Sequence, residues 1–426
     1  MSKQEAAIKY ITENYLDYSR LRHDVIADKL QVRMENGWRE MTKHDINSIV
    51  CHAAQEYDAN ITSREVMTAL QSDLIPDVHP LREYVLSCRE WTEEQPDWID
   101  LVAQKVKVKP SPLSDSLEDA SLQNAPMGLQ FRGNENKADA LWRKCFKKWF
   151  VAMVASWMKD EVVNHQVLVL IGKQGIFKTT WLEHLIPPHL RAYACKLANS
   201  NDLNKDERLR IAEFGLISLD EIDSMNNREL NQLKSVITAT DVNERAAYAY
   251  TKERRVRLAS FCASGNRRDF LTDITGNRRW LPFEVESIQN PFYAIMPYEQ
   301  MYAQAWTLAQ DPLFSYWFDL DEIEVLEKHN QHFRDESNEE QLLDVYFAVP
   351  AEGASNTKFL TTAEISERLI YYGNIKRPLS LSRLGVLLSQ KGFLSIRKGS
   401  PQRRGWIVYE RDNEEINAER RILSKT

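Results

Sequence analysis

The stretch VLVLIGKQGIFKTTW, Val167–Trp181, decides the fold. Val167 to Ile171 is short and wholly apolar, the pattern of a strand buried inside a parallel sheet. Gly172, Gln174, Gly175, Ile176 and Phe177 follow as a loop, and Lys178, Thr179 and Thr180 open an apolar helix. Strand, glycine loop, Lys-Thr and helix is the setting of a phosphate loop for a nucleoside triphosphate such as ATP. Loop N–H groups would surround the phosphates, Lys178 would reach the terminal ones, and the Thr179 hydroxyl would bind Mg²⁺. The usual spacing, G-x-x-x-x-G-K-[ST], asks for glycine where Phe177 stands, and a side chain there restricts the backbone. Gly175 is the expected source of flexibility instead. The bland alternative is a glycine turn into a helix with an incidental Lys-Thr pair.

Downstream, Phe214 to Leu219 is a second apolar strand that ends in Asp220 and Glu221. In a parallel sheet that end lies beside the phosphates. Asp220 is expected to share the Mg²⁺ shell with Thr179, and Glu221 to orient and deprotonate the attacking water. The two acids could instead cap the next turn. A helix around Arg228–Ile237 precedes ERAAYAYTKERRVRLASF, residues 244–261, which reads as a β-hairpin turning near Thr251–Glu253. Its Tyr250, Lys252, Arg254 and Arg255 suit a surface that follows a nucleic-acid backbone and stacks on bases. A solvated charged hairpin fits as well. Ala259 to Asn266 is a third strand, with Asn266 placed to polarise water or touch the γ-phosphate. Arg278 and Arg279 precede a further apolar strand. Arginine stabilises a transferring phosphoryl group, commonly from a neighbouring subunit, although a structural salt bridge is open to either.

The chain has 426 residues, enough for two or three domains, with 43% apolar and 27% charged residues. No apolar run approaches the roughly 20 residues of a membrane helix. The N-terminus has no signal-peptide core, so a cytoplasmic location and no membrane partner are expected. Five scattered cysteines suggest free thiols rather than disulfides or zinc. A net charge of −7 excludes whole-surface attraction to nucleic acid and leaves local basic patches to make any contact.

Residues 1–106 read as a mostly helical accessory domain, with Thr62 and Glu65 as a capping box and His79 as a packed or capping residue. Residues 107–134, rich in Pro, Ser, Asp and Gly, read as a linker. Ala138–Met158 carries an aromatic stripe expected to pack on the sheet of a domain spanning 135–311. An acidic helical connector, 312–356, comes next. Thr357 to Arg411 holds 11 Lys/Arg against 3 Asp/Glu. Helices at Thr361–Tyr372 and Leu379–Lys391, then strands Phe393–Arg397 and Trp406–Arg411, predict a winged helix over 357–426. Arg383 on its second helix, with Arg397, Lys398, Arg403 and Arg404 on the wing, would contact duplex DNA. A winged helix used for protein contacts is the alternative.

From about Trp142 to Val285 the sequence resembles the virulence-associated protein E family, a phage and mobile-element branch close to the superfamily 3 helicases within the AAA+ ATPases. GKQGIFKTTW, FGLISLDEID, CASGNRRDFLTDITGNRRW and LPFEV carry the resemblance. It implies an α/β AAA+ core with a parallel sheet, flanked by the helical domain and the winged helix. By it, Lys178 and Thr179 match Walker A, Asp220 and Glu221 Walker B, and Asn266 sensor 1. Arg278 or Arg279 matches the arginine finger, and Lys252 the pore-loop contact to single-stranded DNA. The expected protein is an ATP- and Mg²⁺-dependent DNA helicase or replication initiator, a homo-oligomeric ring of six subunits, without primer synthesis. A DNA-bound ATP switch and a defence ATPase share every motif.

Overall fold

A computed structural model describes residues 1–35, 37–110, 137–197, 210–244, 253–271, 277–334, 338–351, 357–373, 380–400 and 402–423. The chain divides into two units, one of residues 1–268 with 278–332, the other of 269–277 with 333–426.

The first unit opens with helix Lys3–Ile11, started by a Ser2–Glu5 capping box. Strands β1 (Leu21–Asp24), β2 (Lys29–Met34) and β3 (Gly37–Glu40) follow, then helices Lys43–Tyr57 and Ser63–Leu70, then β4 (Asp77–Val78). The strands form a sheet of order β3-β2-β1-β4. Helix still predominates in residues 1–106, as expected, but this four-stranded sheet was not foreseen. The strands are short and half-exposed, with Val32 alone buried on β2 and no residue buried on β3, so they carry little apolar alternation. The readable signal was the Asn36-Gly37 dipeptide, a strong hairpin marker. The Thr62–Glu65 box does start its helix, and His79 does cap one, its Nδ1 accepting from the Arg82 amide at 3.2 Å.

The central layer is a six-stranded sheet. Strands β5 (Val106–Val108), β6 (Val167–Ile171), β7 (Ala194–Leu197), β8 (Leu216–Leu219), β11 (Ser260–Gly265) and β12 (Trp280–Ile288) lie in the order β5-β12-β6-β11-β8-β7. All neighbouring pairs are parallel except β5 with β12. Lys107 and Val108 therefore belong to a strand rather than to the expected linker, most of which lies outside the described residues.

Helix Lys137–Met158 packs on this sheet as its aromatic stripe predicted. Trp142, Trp149 and Trp157 are fully buried, and each indole N–H must find an acceptor there. They donate to the carbonyls of Ala103 at 2.9 Å, Phe261 at 3.1 Å and Gly215 at 3.1 Å. Truncating any one to alanine would cost about 3–5 kcal/mol. A Cβ on Gly215 would sit 2.9 Å from the Trp157 ring, so this helix fixes where β8 begins.

Strands β9 (Asp241–Glu244) and β10 (Glu253–Val256) pair antiparallel, so a hairpin is present but its first strand starts at Asp241, before the expected 244, and residues 245–252 lie outside the described residues. Glu253, assigned to the turn from sequence, is instead in the ladder opposite Glu244, because the charged run continues the strand. The expected connector splits: helix Leu320–Gln331 packs in the first unit, its Asn330 donating to the Trp280 carbonyl at 3.0 Å.

The second unit holds helix Asn338–Tyr346, β13 (Phe347–Ala348), β14 (Thr357–Leu360), helices Thr362–Gly373 and Leu381–Gln390, β15 (Leu394–Lys398), β16 (Arg403–Glu410) and helix Asn413–Leu423. Strand β16 pairs antiparallel with β13, β14 and β15. Lys398, Arg403 and Arg404, which fall between the two expected strands Phe393–Arg397 and Trp406–Arg411, are in the ladder.

Candidate functional site

The carboxyl ends of β6, β8 and β11, three strands side by side, bring the predicted nucleotide residues together. Gly172 leaves β6 with φ of +157°, and a Cβ there would stand 2.8 Å from the Val285 carbonyl oxygen. Gly175 has φ of +84°. Phe177 adopts φ of +68°, the left-handed conformation that suits glycine. The loop thus keeps the backbone shape of the glycine consensus and carries the strain of a side chain in it.

Lys178 is buried at the centre of this loop. Its ammonium donates to the carbonyls of Gly172 and Lys173, both at 2.7 Å, and to Asn266 Oδ1 at 3.3 Å. Burial pushes its pKa down, against the pull of Asp223 and Asp220. Thr179 Oγ1 lies 3.2 Å from Asp220 Oδ1 and 2.9 Å from Ser264 Oγ. Ser264 in turn donates to Asp220 Oδ1 at 2.7 Å. Lys196, at the end of β7, pairs with the other Asp220 oxygen at 2.8 Å. Burial raises the Asp220 pKa, but Lys196, Ser264 and Thr179 outweigh it, and the net shift is downward. This carboxylate is charged.

Glu221 follows with φ of +52° and an exposed side chain. The turn continues to Asp223, whose side chain is only 9% exposed. Asp223 Oδ1 accepts the Asn266 amide and Oδ2 the Arg267 amide, both at 3.1 Å. Ser264, Lys196 and Asp223 were missed by sequence reasoning. Two signals existed, since Ser264 precedes Asn266 by two in a strand and Asp223 closes FGLISLDEID. Nothing local marked Lys196.

Arg278 and Arg279 are not part of this cluster. They precede β12, which runs parallel to β6 with Trp280 opposite Val167. That is the amino end of the sheet, about 17 Å from the loop along a five-residue strand. The pair lies near His165, whose pKa falls through burial first and then through Arg257, Arg279 and Arg278.

Of the hairpin residues, Tyr250 and Lys252 lie outside the described residues, as does the side chain of Arg254. Arg255 is engaged: its guanidinium reaches Asp28 at 3.4 Å and Glu213 at 3.6 Å. Arg257, just past β10, is fully buried and donates to the carbonyls of Ala259, Val236, Ile237, Ala239 and Asn164. It closes the last turn of helix Asn227–Thr238 and ties the hairpin base to the sheet. Burial pushes its pKa down to about 9.

In the second unit, Arg397, Lys398, Arg403 and Arg404 are all exposed on the β15–β16 hairpin. Arg383 is half-buried in the first turn of helix Leu381–Gln390.

Residues 129–335 match the virulence-associated protein E-like domain. That match covers the phosphate loop, both acidic and polar strand ends, the hairpin and the arginine pair. No curated protein matches the chain. Among solved structures, the apo NrS-1 C-terminal region overlays with a TM-score of 0.42 at 10% identity, over 95% of this chain and 99% of that one. Its A form gives a TM-score of 0.42 at 11% identity, over 93% and 98%. Among the described residues no helix is long and apolar enough to cross a membrane.

Proposed function

We propose that this virulence-associated protein E-like protein is an ATP-driven DNA motor, a superfamily 3-like AAA+ helicase or replication initiator of a phage or mobile element. The observation that carries the reading is the Thr179–Asp220–Ser264 cluster, 2.7–3.2 Å apart at three adjacent strand ends beside Lys178. A hydroxyl and a charged carboxylate are hard oxygen donors, and Mg²⁺ takes one or two such ligands with the phosphates supplying more. The donor set therefore fits, with Thr179 and Asp220 holding the ion. When bound, the ion supplies charge neutralisation at the phosphates.

The chain's own residues do the rest. Amides of Gly172–Phe177 and the Lys178 ammonium bind the phosphates, and Asn266 holds that ammonium from the far side. Glu221, exposed at the strand end, orients the attacking water and takes its proton. Arg278 or Arg279 is too far along the sheet to serve its own loop, so it serves a neighbour's, which asks for a ring, six subunits being the expected number. The 245–252 segment of the hairpin, with Tyr250 and Lys252, would grip single-stranded DNA, and the basic wing would hold duplex DNA.

The test is ATPase activity with and without single-stranded DNA, read with particle mass and strand displacement on forked DNA. Lys178→Ala should abolish nucleotide binding, and Glu221→Gln should bind but not turn over. Normal ATPase in both variants refutes the site. DNA-stimulated ATPase without strand displacement makes the protein a DNA-bound ATP switch instead.

A further inference from the structure

Asn266 and Glu221 sit on different strand ends, and one side chain ties the two ends together. Asp223 lies two residues beyond Glu221, in the short helical turn Ile222–Ser224. Its carboxylate accepts the backbone N–H of Asn266 on one oxygen and that of Arg267 on the other, each at 3.1 Å. Arg267 returns the grip, its Nη2 donating to the Asp223 carbonyl at 2.6 Å and its Nε lying 3.5 Å from Oδ2. The approach is close: a Cβ on Gly265 would stand 2.8 Å from Asp223 Oδ1. Only glycine lets the carboxylate reach those amides. Downstream of the grip, Asn266 Oδ1 stands 3.3 Å from the Lys178 ammonium.

We propose that Asp223 is a positioning residue for ATP hydrolysis, holding Asn266 at the phosphate-loop lysine and coupling that contact to the Glu221 turn. This rests on the ATPase reading above. Asp223 makes no hydrogen bond to Lys178 or Thr179 among the described residues; besides its charge, which pulls on the Lys178 ammonium, its route to the site is the Asn266 amide. Two amides fixed by one carboxylate leave the Asn266 backbone little freedom, and charge-assisted bonds of this kind are the stronger class. Removing the carboxylate frees Asn266 to leave the Lys178 ammonium, which is then held less well toward the terminal phosphate in the transition state, while the loop amides go on binding nucleotide. The loss then falls on kcat rather than on KM.

The experiment compares the full-length wild type with Asp223→Ala, Asn266→Ala and the double variant, measuring kcat, KM for ATP and binding of a fluorescent ATP analogue. Asp223→Ala is expected to lower kcat about 10- to 100-fold with KM changed by less than about threefold. The double variant should be no slower than Asn266→Ala alone, because residues acting through one contact are not additive. Losses that multiply in the double variant, an unchanged kcat, or a change confined to KM overturn the proposal. Should Asp223→Ala fold poorly, Asp223→Asn keeps one amide acceptor and the side-chain shape, and a kcat equal to wild type there is equally fatal. Amide exchange across residues 264–268 reads the grip without nucleotide: faster exchange in Asp223→Asn is expected, and unchanged exchange counts against it. A wild type that neither binds nor hydrolyses ATP defeats the ATPase reading instead, and the two failures are told apart.

Discussion

Arg397 and Arg404 stand directly opposite one another on β15 and β16, with Lys398 opposite Arg403 as the next pair. Directly opposed side chains share a face, so each face of the hairpin presents two cations, an arrangement that is unfavourable without an anion. Arg404 gains partial relief from Ser395 Oγ at 3.0 Å and the Trp406 ring at 5.8 Å. Phosphates on DNA would relieve it further. Arg397→Ala with Arg404→Ala should therefore weaken duplex binding and reduce the slope of log affinity against log salt by about two. The melting temperature should hold or rise slightly. A salt slope equal to wild type would remove this hairpin from the DNA contact.

Phe177 supplies a test of the loop's backbone. A non-glycine residue in the left-handed region costs about 1–2 kcal/mol, and Phe177 pays it at φ of +68°. Phe177→Ala loses the ring and keeps the strain, whereas Phe177→Gly loses both. The glycine variant should thus be more stable than the alanine one by about 1 kcal/mol, reversing the usual order of the two residues. Its KM for ATP should be no higher than wild type. Chemical denaturation of the two variants decides it, and an alanine variant as stable as the glycine one would rule out a strained loop.

The cluster at the carboxyl end of the sheet was legible because strands buried on both faces are unbroken apolar runs and the polar residues sit beyond the point where each run stops: Lys178 after Ile171, Asp220 after Leu219, Asn266 after Gly265. Lys196 was not, since its pairing with Asp220 depends on β7 lying beside β8, a matter of strand order that no local spacing records. The N-terminal sheet escaped for another reason. A two-sided, half-exposed strand such as β3 has no apolar face to announce it. Likewise the sequence placed Arg255 on a basic hairpin without showing its partners, and only the tertiary fold brings Asp28, far away in the chain, against it.

Acid should loosen the first unit through His329. This imidazole is buried on helix Leu320–Gln331, bonded through Nε2 to the Pro282 carbonyl at 2.7 Å and packed 5.0 Å from the Phe283 ring. Burial pushes its pKa down to about 4. A histidine depressed in the folded state stays neutral there while the unfolded chain takes up a proton below about pH 6.5, so stability is complete above that pH and falls as pH drops toward 4. At pH 5 the cost is about 2 kcal/mol relative to pH 7. His329→Gln keeps a donor for Pro282 and removes the titration. Urea unfolding at pH 7 and pH 5 should show a smaller acid loss in that variant; parallel losses would contradict the assignment.

The Arg255 ion pairs lead to the last expectation. Asp28, on the N-terminal part of the unit, holds Arg255 with one oxygen and His23 Nε2 with the other, at 3.1 Å. Arg255 is 19% exposed and Asp28 62% exposed. A strand of DNA following the hairpin must therefore compete with Asp28 and Glu213 for this guanidinium. Exposed pairs of this sort are weak, about 0–1 kcal/mol, so a polyanion can displace them. Asp28→Asn should raise single-stranded DNA affinity about 3- to 10-fold at low salt, with less effect as salt screens the charges. Arg255→Ala should lower affinity, and adding Asp28→Asn to it should change nothing more, because the aspartate's effect runs through the arginine. Fluorescence anisotropy with a labelled oligonucleotide measures all four proteins. If Asp28→Asn tightened DNA equally with and without Arg255, the gain would be a general loss of negative charge rather than release of this side chain.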